Sequence, residues 1–449
     1  MLPGDDLRPR RRKPPVTRPS RLISDTDAED GRVNETAHLR ADGPPGRPAT
    51  YRVALVHSFY SSHQPSGENT VVLDQAEALR AAGHEVTVVA AHTDALQAEP
   101  GYSLRAAIRV ATGHGRSPLA ELKRFAPDVT HVHNLFPNFG TSWLERWPGA
   151  LVATVHNYRP ACAAGTLFRD GRMCTACPDG DRWAGLRHGC YRAARSATLP
   201  LAWAGRRGPA MHPVLRRAHR LVVLSEYSRD FYLGFGFPPR KLALVPNFVD
   251  ASGAACAMDA TTDSTVEEPA TPWVFAGRLS QEKGIVPLLQ SWPENEPLDV
   301  IGSGPLESAC GAAAPEGVRL VGALSRQQLR GLLPRYTGLI FPSVCPEMAP
   351  VVYQEALAAG LPVLALAGSA AADSVLRHGT GAVYNRADEL PHALAAAHKR
   401  FPALRERCRR VHAELYAAPS WAATMASVYA QAIECAAGRR GSDISEAAC

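Results

Sequence analysis

The sequence predicts an α/β protein of two doubly wound, Rossmann-like domains facing a cleft, and three features of its 449 residues carry that expectation. Short apolar runs ending in glycine or polar residues recur along the chain. Helical apolar spacing fills the stretches between them. A segment of small and polar residues, 251–271, separates two such series. With 45% apolar residues and no apolar run long enough to cross a bilayer, the length suits two domains with cores of their own.

The first series occupies residues 50–250. YRVALVHSF, from Tyr51, is a buried strand by its apolar density; the loop SSHQPSGEN then leads into TVVLDQAEALRAAGHEVTVVA, where spacing turns helical and returns to a strand at Glu85. Further strands are expected in DVTHVHN, LVATVHN and LVVLSE. In parallel sheets ligands gather at the carboxyl ends of strands, which singles out His156 in TVHNYRP and His133 with Asn134 in DVTHVHN. An imidazole there can donate a hydrogen bond to a hydroxyl or phosphate and can carry charge near neutral pH. His131 and His133 alternate on one strand and so share a face.

The second series, residues 272–400, contains VFAGRLSQEKG, LDVIGSG, VRLVGALS, GLIFPS and LPVLALAG. Its most informative stretch is EMAPVVYQEALAAGLPV, where seven residues holding a loop and a helix start separate Glu347 from Glu355. Carboxylates accept paired hydrogen bonds from vicinal hydroxyls, and the free N–H groups of a helix start, around Ala349 to Val351, meet phosphate or developing negative charge. A sugar carrying a diphosphate needs both.

Taken together and in order, this block, VFAGRLSQEKG, DVIGSGPLE and FPSVCPE resemble the signature of family 4 glycosyltransferases, retaining enzymes of the GT-B fold, over about residues 51–384. The resemblance implies that Glu347 holds hydroxyls of the donor sugar, Glu355 binds the ribose, and Arg278 and Lys283 clamp the diphosphate. It places Gly302 and Gly304 in a glycine loop, Met348, Ala349, Pro350 and Val351 at the donor-binding helix start, Gly67 in the glycine loop of the first domain, and His156 facing the sugar. It also implies that the final helical stretch, 401–437, crosses back to the first domain. Two departures stand out: Ser66 precedes Gly67 where a glycine pair is usual, and Gly368-Ser369 replaces a second pair.

Residues 1–49, with PRRRKPPVTRPSR, bury too little apolar surface to offset ordering entropy and are expected to be a disordered arm, as is the tail 438–449. The arm's cations could touch an anionic membrane, but the net charge of +6 is modest and nucleic acid is not the expected partner. With no secretory signal in view, the expected location is the cytoplasm, with the inner membrane face as a peripheral site.

Cys162, Cys174, Cys177 and Cys190 cluster within the insert 162–190, and their single Cys-x-x-Cys knuckle makes a structural zinc one expectation beside free or redox-paired thiols; His188 is an alternative ligand. The insert follows His156 and should border the acceptor side. Asp179-Gly180-Asp181 is expected to be a turn rather than a divalent-metal motif, because it does not end a strand, and GSGPLE lacks the third glycine of a dinucleotide fingerprint.

The expected activity is transfer of a sugar from a nucleoside diphosphate sugar to a hydroxyl acceptor, with no cofactor required. A polysaccharide or lipid-linked glycan and a small natural product, such as an aminocyclitol in antibiotic biosynthesis, both suit the acceptor. The alternatives are a noncatalytic scaffold that binds sugar nucleotide or nucleic acid, and another sugar-nucleotide reaction such as hydrolysis or epimerisation.

Overall fold

The structure, a computed structural model, describes residues 50–62, 67–250 and 271–441. The arm 1–49, Ser66, residues 251–270 and the tail from 442 lie outside the described residues, and so do the expectations placed on them.

The first sheet uses β1 (Arg52–Phe59), β2 (Glu85–His92), β3 (Val129–Asn134) and β4 (Ala150–Thr154). A two-stranded antiparallel hairpin, β5 (Phe168–Arg169) and β6 (Arg172–Met173), interrupts it before β7 (Arg220–Val223) and β8 (Leu242–Leu244). The strand order is β2-β1-β3-β4-β7-β8, all parallel. The second sheet comprises β9 (Trp273–Ala276), β10 (Leu298–Ile301), β11 (Val318–Gly322), β12 (Leu339–Phe341), β13 (Val363–Leu366) and β14 (Gly381–Tyr384). Its order, β11-β10-β9-β12-β13-β14, is again parallel. In both sheets the strand order reverses direction beside the first strand of its series, and the loops leaving the carboxyl ends there diverge into a crevice.

Strands covered on both faces need continuous apolar runs, and Val53 to Val56 of β1 are fully buried with Val72 and Leu79 of the helix Gly67–Ala81 packed over them. The crossing helix, Ala418–Gly441, adds Trp421, Met425, Tyr429 and Ala432 to this first core. Each large apolar side chain so buried is worth about 1.5–3 kcal/mol. The crossing therefore begins later than expected from sequence. The preceding helix, Leu390–Leu415, runs through Pro402 and buries Leu394 and Phe401 in one part of the second domain and Cys408 and Val411 in another. Residues 438–441, expected in the tail, continue the last helix. No helix among the described residues is long and apolar enough to cross a membrane.

Candidate functional site

The loop after β9 carries Arg278 and Lys283 and is fixed by three glycines. Gly284 has φ +68°, and a side chain there would place Cβ 2.2 Å from the Pro342 carbonyl oxygen, so only glycine lets this loop lie against the strand end that presents Glu347. Gly302 has φ +145°, and its Cβ would fall 1.8 Å from the Gly277 oxygen. Gly304 would similarly meet Leu279, whose N–H donates to the Ser303 carbonyl at 3.0 Å. The glycine loop thus stacks beneath the Arg278 loop, and neither Gly302 nor Gly304 lines the cavities described below.

The Val344 N–H donates to the Glu282 carbonyl at 3.0 Å, joining this loop to the segment leading to Glu347. Lys283 Nζ then stands 2.6 Å from Glu347 Oε2, with both side chains largely buried. Burial alone pushes the Lys283 ammonium down, but the adjacent Glu347 carboxylate outweighs it and holds the pKa above its ordinary value. Glu347 Oε1 is buried without a hydrogen-bond partner and is available to a hydroxyl. Arg278 is exposed on the wall of the neighbouring cavity, with no ion pair among the described residues.

A cavity of about 270 Å³ brings Lys283, Glu347, Met348, Ala349 and Val351 of the second domain to Gly67, Glu68, His156 and Asn157 of the first. Pro350 is the residue preceding the helix Val351–Ala358 and has no N–H to give, so Ala349 and Val351 supply the backbone donors there. Gly67 opens its helix with nothing within 4 Å of an added Cβ. Its lack of a side chain keeps this wall open.

His156 reaches the site through a local irregularity in the first sheet. The β1–β3 register passes from Val56 opposite Val132 to His57 opposite Asn134, leaving His133 as the extra residue of a bulge. His133 Nδ1 lies 3.0 Å from His156 Nε2. Burial holds His133 well below the ordinary histidine range and His156 down at about 3, helped by His57 and His131. The charged imidazole allowed by the sequence is therefore corrected: His156 is a neutral hydrogen-bonding group near pH 7. Asn134 Oδ1 accepts from the Phe136 N–H at 3.0 Å and shapes the strand end. His131 points elsewhere, to the Tyr429 hydroxyl at 2.9 Å and Thr154 Oγ1 at 2.7 Å, and ties the crossing helix to the sheet.

Glu355 lies apart from these cavities. It is buried and paired with Arg326 Nε at 2.7 Å, while Arg326 Nη1 reaches Asp74 of the first domain at 2.8 Å. A ribose at Glu355 would have to share or displace Arg326.

In the insert, Cys162, Cys174, Cys177 and Cys190 line one cavity of about 10 Å³. Burial raises the thiols of Cys177 and Cys190, and the neighbouring cysteines raise them further. Four thiolates are a fitting donor set for zinc, yet among the described residues no three His, Cys, Asp or Glu side chains form a ready ligand group. Asp179 lies in a turn and accepts from the Thr175 hydroxyl at 2.7 Å, and Asp181, just after it, pairs with Arg187. Gly165 and Thr166 of the insert line the cavity with Glu347, while Arg159, Tyr191 and Arg192, which flank the insert, line a second, of about 1020 Å³, with Arg278 and Lys283.

Glu68 and Arg159 are among the cleft residues that sequence reasoning left without a role. Burial pushes Glu68 up to about 7, against the opposing charge of Arg159. Their signals were proximity alone, Glu68 directly after Gly67 and Arg159 three residues after His156.

Residues 65–252 match the profile of Glycosyltransferase Family 4, and residues 271–401 that of Glycosyl transferases group 1. No curated protein matches the chain by sequence. Among solved structures, sucrose-phosphate synthase from Thermosynechococcus elongatus is 18% identical with a TM-score of 0.60, covering 86% of this chain and 99% of that one. Anabaena HepE in complex with UDP and glucose is 13% identical with a TM-score of 0.54, covering 85% and 99%. WaaG, a glycosyltransferase involved in lipopolysaccharide biosynthesis, is 18% identical with a TM-score of 0.53, covering 84% and 99%. These likenesses carry the GT-B fold.

Proposed function

This chain belongs to the family 4, group 1 glycosyltransferases, and we propose that it transfers a sugar with retention of anomeric configuration from a nucleoside diphosphate sugar to a hydroxyl acceptor. The observation that carries this reading is the Lys283–Glu347 pair facing His156 and Gly67 across one cavity. A departing diphosphate needs cations, supplied by Lys283 and Arg278, and backbone donors, supplied by the helix start at Val351. Glu347 Oε1 takes a sugar hydroxyl while Lys283 holds Oε2, and His156 meets the sugar from the first domain as a neutral donor or acceptor. Glu355 takes the ribose once Arg326 yields part of its hold. The clamp is made of protein cations, so the reaction needs no metal ion.

Retention through a front-face route, with the donor phosphate drawing the acceptor proton, suits a site whose donor-side carboxylate is engaged by lysine. HepE was solved with UDP and with UDP-glucose, which makes UDP-sugars the first donors to try. WaaG acts in lipopolysaccharide biosynthesis and AviGT4 in avilamycin A biosynthesis, so surface glycans and natural products remain the two acceptor classes. The test is a panel of UDP-, GDP- and dTDP-sugars incubated with candidate acceptors, with the product anomer read by proton NMR. The expected product keeps the donor's configuration. An inverted product would reject retention, and free sugar at equal rates with and without acceptor would reject transfer in favour of hydrolysis.

A further inference from the structure

We propose that the acceptor carries an anionic group, a phosphate or a carboxylate, which binds in a cationic cavity at the carboxyl ends of β3 and β4. The proposal rests on the transferase reading above and names the substrate class for its acceptor side. This cavity, of about 350 Å³, extends from His156 and Asn157 into the first domain, between the helices Tyr102–Thr112 and Arg195–Gly205. Arg109, Arg159, Arg206 and Arg207 line it, and no aspartate or glutamate does. None of these four guanidinium groups makes a salt bridge among the described residues.

Arg207 is exposed, but Arg109, Arg159 and Arg206 are half-buried, and taking a guanidinium even partly out of water without a counter-ion is costly, so proteins ordinarily supply a carboxylate. Here the protein supplies neutral partners only in part. Arg109 Nη1 donates to the Pro137 carbonyl at 3.0 Å, while its Nε is buried with no hydrogen-bond partner. Arg159 Nη1 donates to the Ala163 carbonyl at 3.2 Å, and its guanidinium lies 4.2 Å from the Phe136 ring centre and 5.5 Å from that of Tyr191. Arg206 stacks on Trp203 at 4.2 Å. Stacking fixes the planes of these groups, which prepares them for planar, forked recognition of an oxyanion.

The remaining polar groups agree. His133 Nε2 and His212 Nδ1 are buried without partners, and both histidines line the cavity and are held neutral by burial, so they can offer N–H groups without adding charge. Glu68 is the carboxylate that senses Arg159, and its own pKa near 7 leaves much of it protonated at neutral pH. Because Arg159 also lines the larger cavity with Arg278 and Lys283, an acceptor anchored here by its anion can extend a hydroxyl toward the donor cleft.

The test uses the full chain saturated with UDP, so that the donor-side cations are already occupied. Glycerol 3-phosphate and glycerol are titrated calorimetrically, and phosphatidylglycerol and phosphatidylcholine vesicles are compared by cosedimentation. The anionic member of at least one pair should bind more tightly, and R109Q and R206Q should weaken that binding about tenfold, the scale of one charge-assisted hydrogen bond. UDP affinity should stay unchanged in both variants. R206Q, at the cavity mouth, carries the test if R109Q folds poorly. Saturation by glycerol 3-phosphate assigns a soluble acceptor and saturation by vesicles a lipid-linked one. Equal binding of anionic and neutral probes, or wild-type binding in both variants, overturns the proposal. Failure of UDP to bind wild-type protein would count against the donor reading instead.

Discussion

Lys283 and Glu347 neutralise each other at 2.6 Å in a largely buried setting. In the proposed donor complex the lysine would gain a diphosphate while Glu347 turned an oxygen to the sugar. Lys283→Ala and Arg278→Ala should each lower transfer about a hundredfold or more, the usual loss for one transition-state charge stabiliser. Initial rates at saturating donor check this, and wild-type turnover in both variants would remove the clamp. A second prediction comes from histidines held neutral by burial: His57 and His212 at about 4, His131 and His156 at about 3, against an ordinary 6.5. Their folded pKa values are depressed, so the unfolded chain takes up protons first. Their contribution to stability is complete above about pH 6.5 and declines as pH falls toward 3–4. The urea midpoint should drop steadily between pH 7 and pH 5, and a flat or rising midpoint there would contradict the assignment. A strand-end position singled out His156 in the sequence and the family resemblance singled out Lys283 and Glu347, and the structure brings the three to one cavity. The Arg326 grip on Glu355 was not, because it joins residues 29 and 252 positions apart to one guanidinium.

At the scale of elements, the apolar strands could be read directly, whereas β8 and β14, at one edge of each sheet, were not foreseen. The hairpin β5–β6 escaped because two-residue strands carry no periodicity. The final helical stretch was expected to start at 401, yet burial of Phe401 on one side of Pro402 and Cys408 on the other holds the single helix Leu390–Leu415 together. Gly284 gives a direct prediction. Gly284→Ala meets both a positive φ and the Pro342 carbonyl, and should destabilise the second domain by about 1–3 kcal/mol while weakening donor binding; an unchanged melting temperature would mean that the loop can be rebuilt without cost. The cysteine insert is the remaining element. We expect its four thiols to turn into their shared cavity around about one zinc ion per chain, with a structural role, since a closed four-thiolate shell leaves no position for substrate. Metal analysis of reduced protein should find that zinc and lose it in Cys174→Ser and Cys177→Ser. Metal-free protein of normal activity would leave the cysteines as loop thiols.

For the whole molecule, the alternation of strands and helices was enough to foresee two parallel sheets, because each series must cover both faces of its strands to bury them. What the sequence could not supply was the facing of the two sites, which depends on Asp74–Arg326 and Glu226–Arg377 contacts between the domains and on the helix Ala418–Gly441 returning to the first core. The cavity joining Lys283 and Glu347 to His156 is proposed to receive a nucleoside diphosphate sugar. Calorimetric titration of UDP-, GDP- and dTDP-sugars into wild-type and Lys283→Ala protein tests it most directly. One nucleotide series should bind wild type with a single site per chain and lose about a hundredfold in affinity in the variant, as expected for removal of a buried charge partner to phosphate. Binding of none of the three series, or equal affinity in the two proteins, would contradict it.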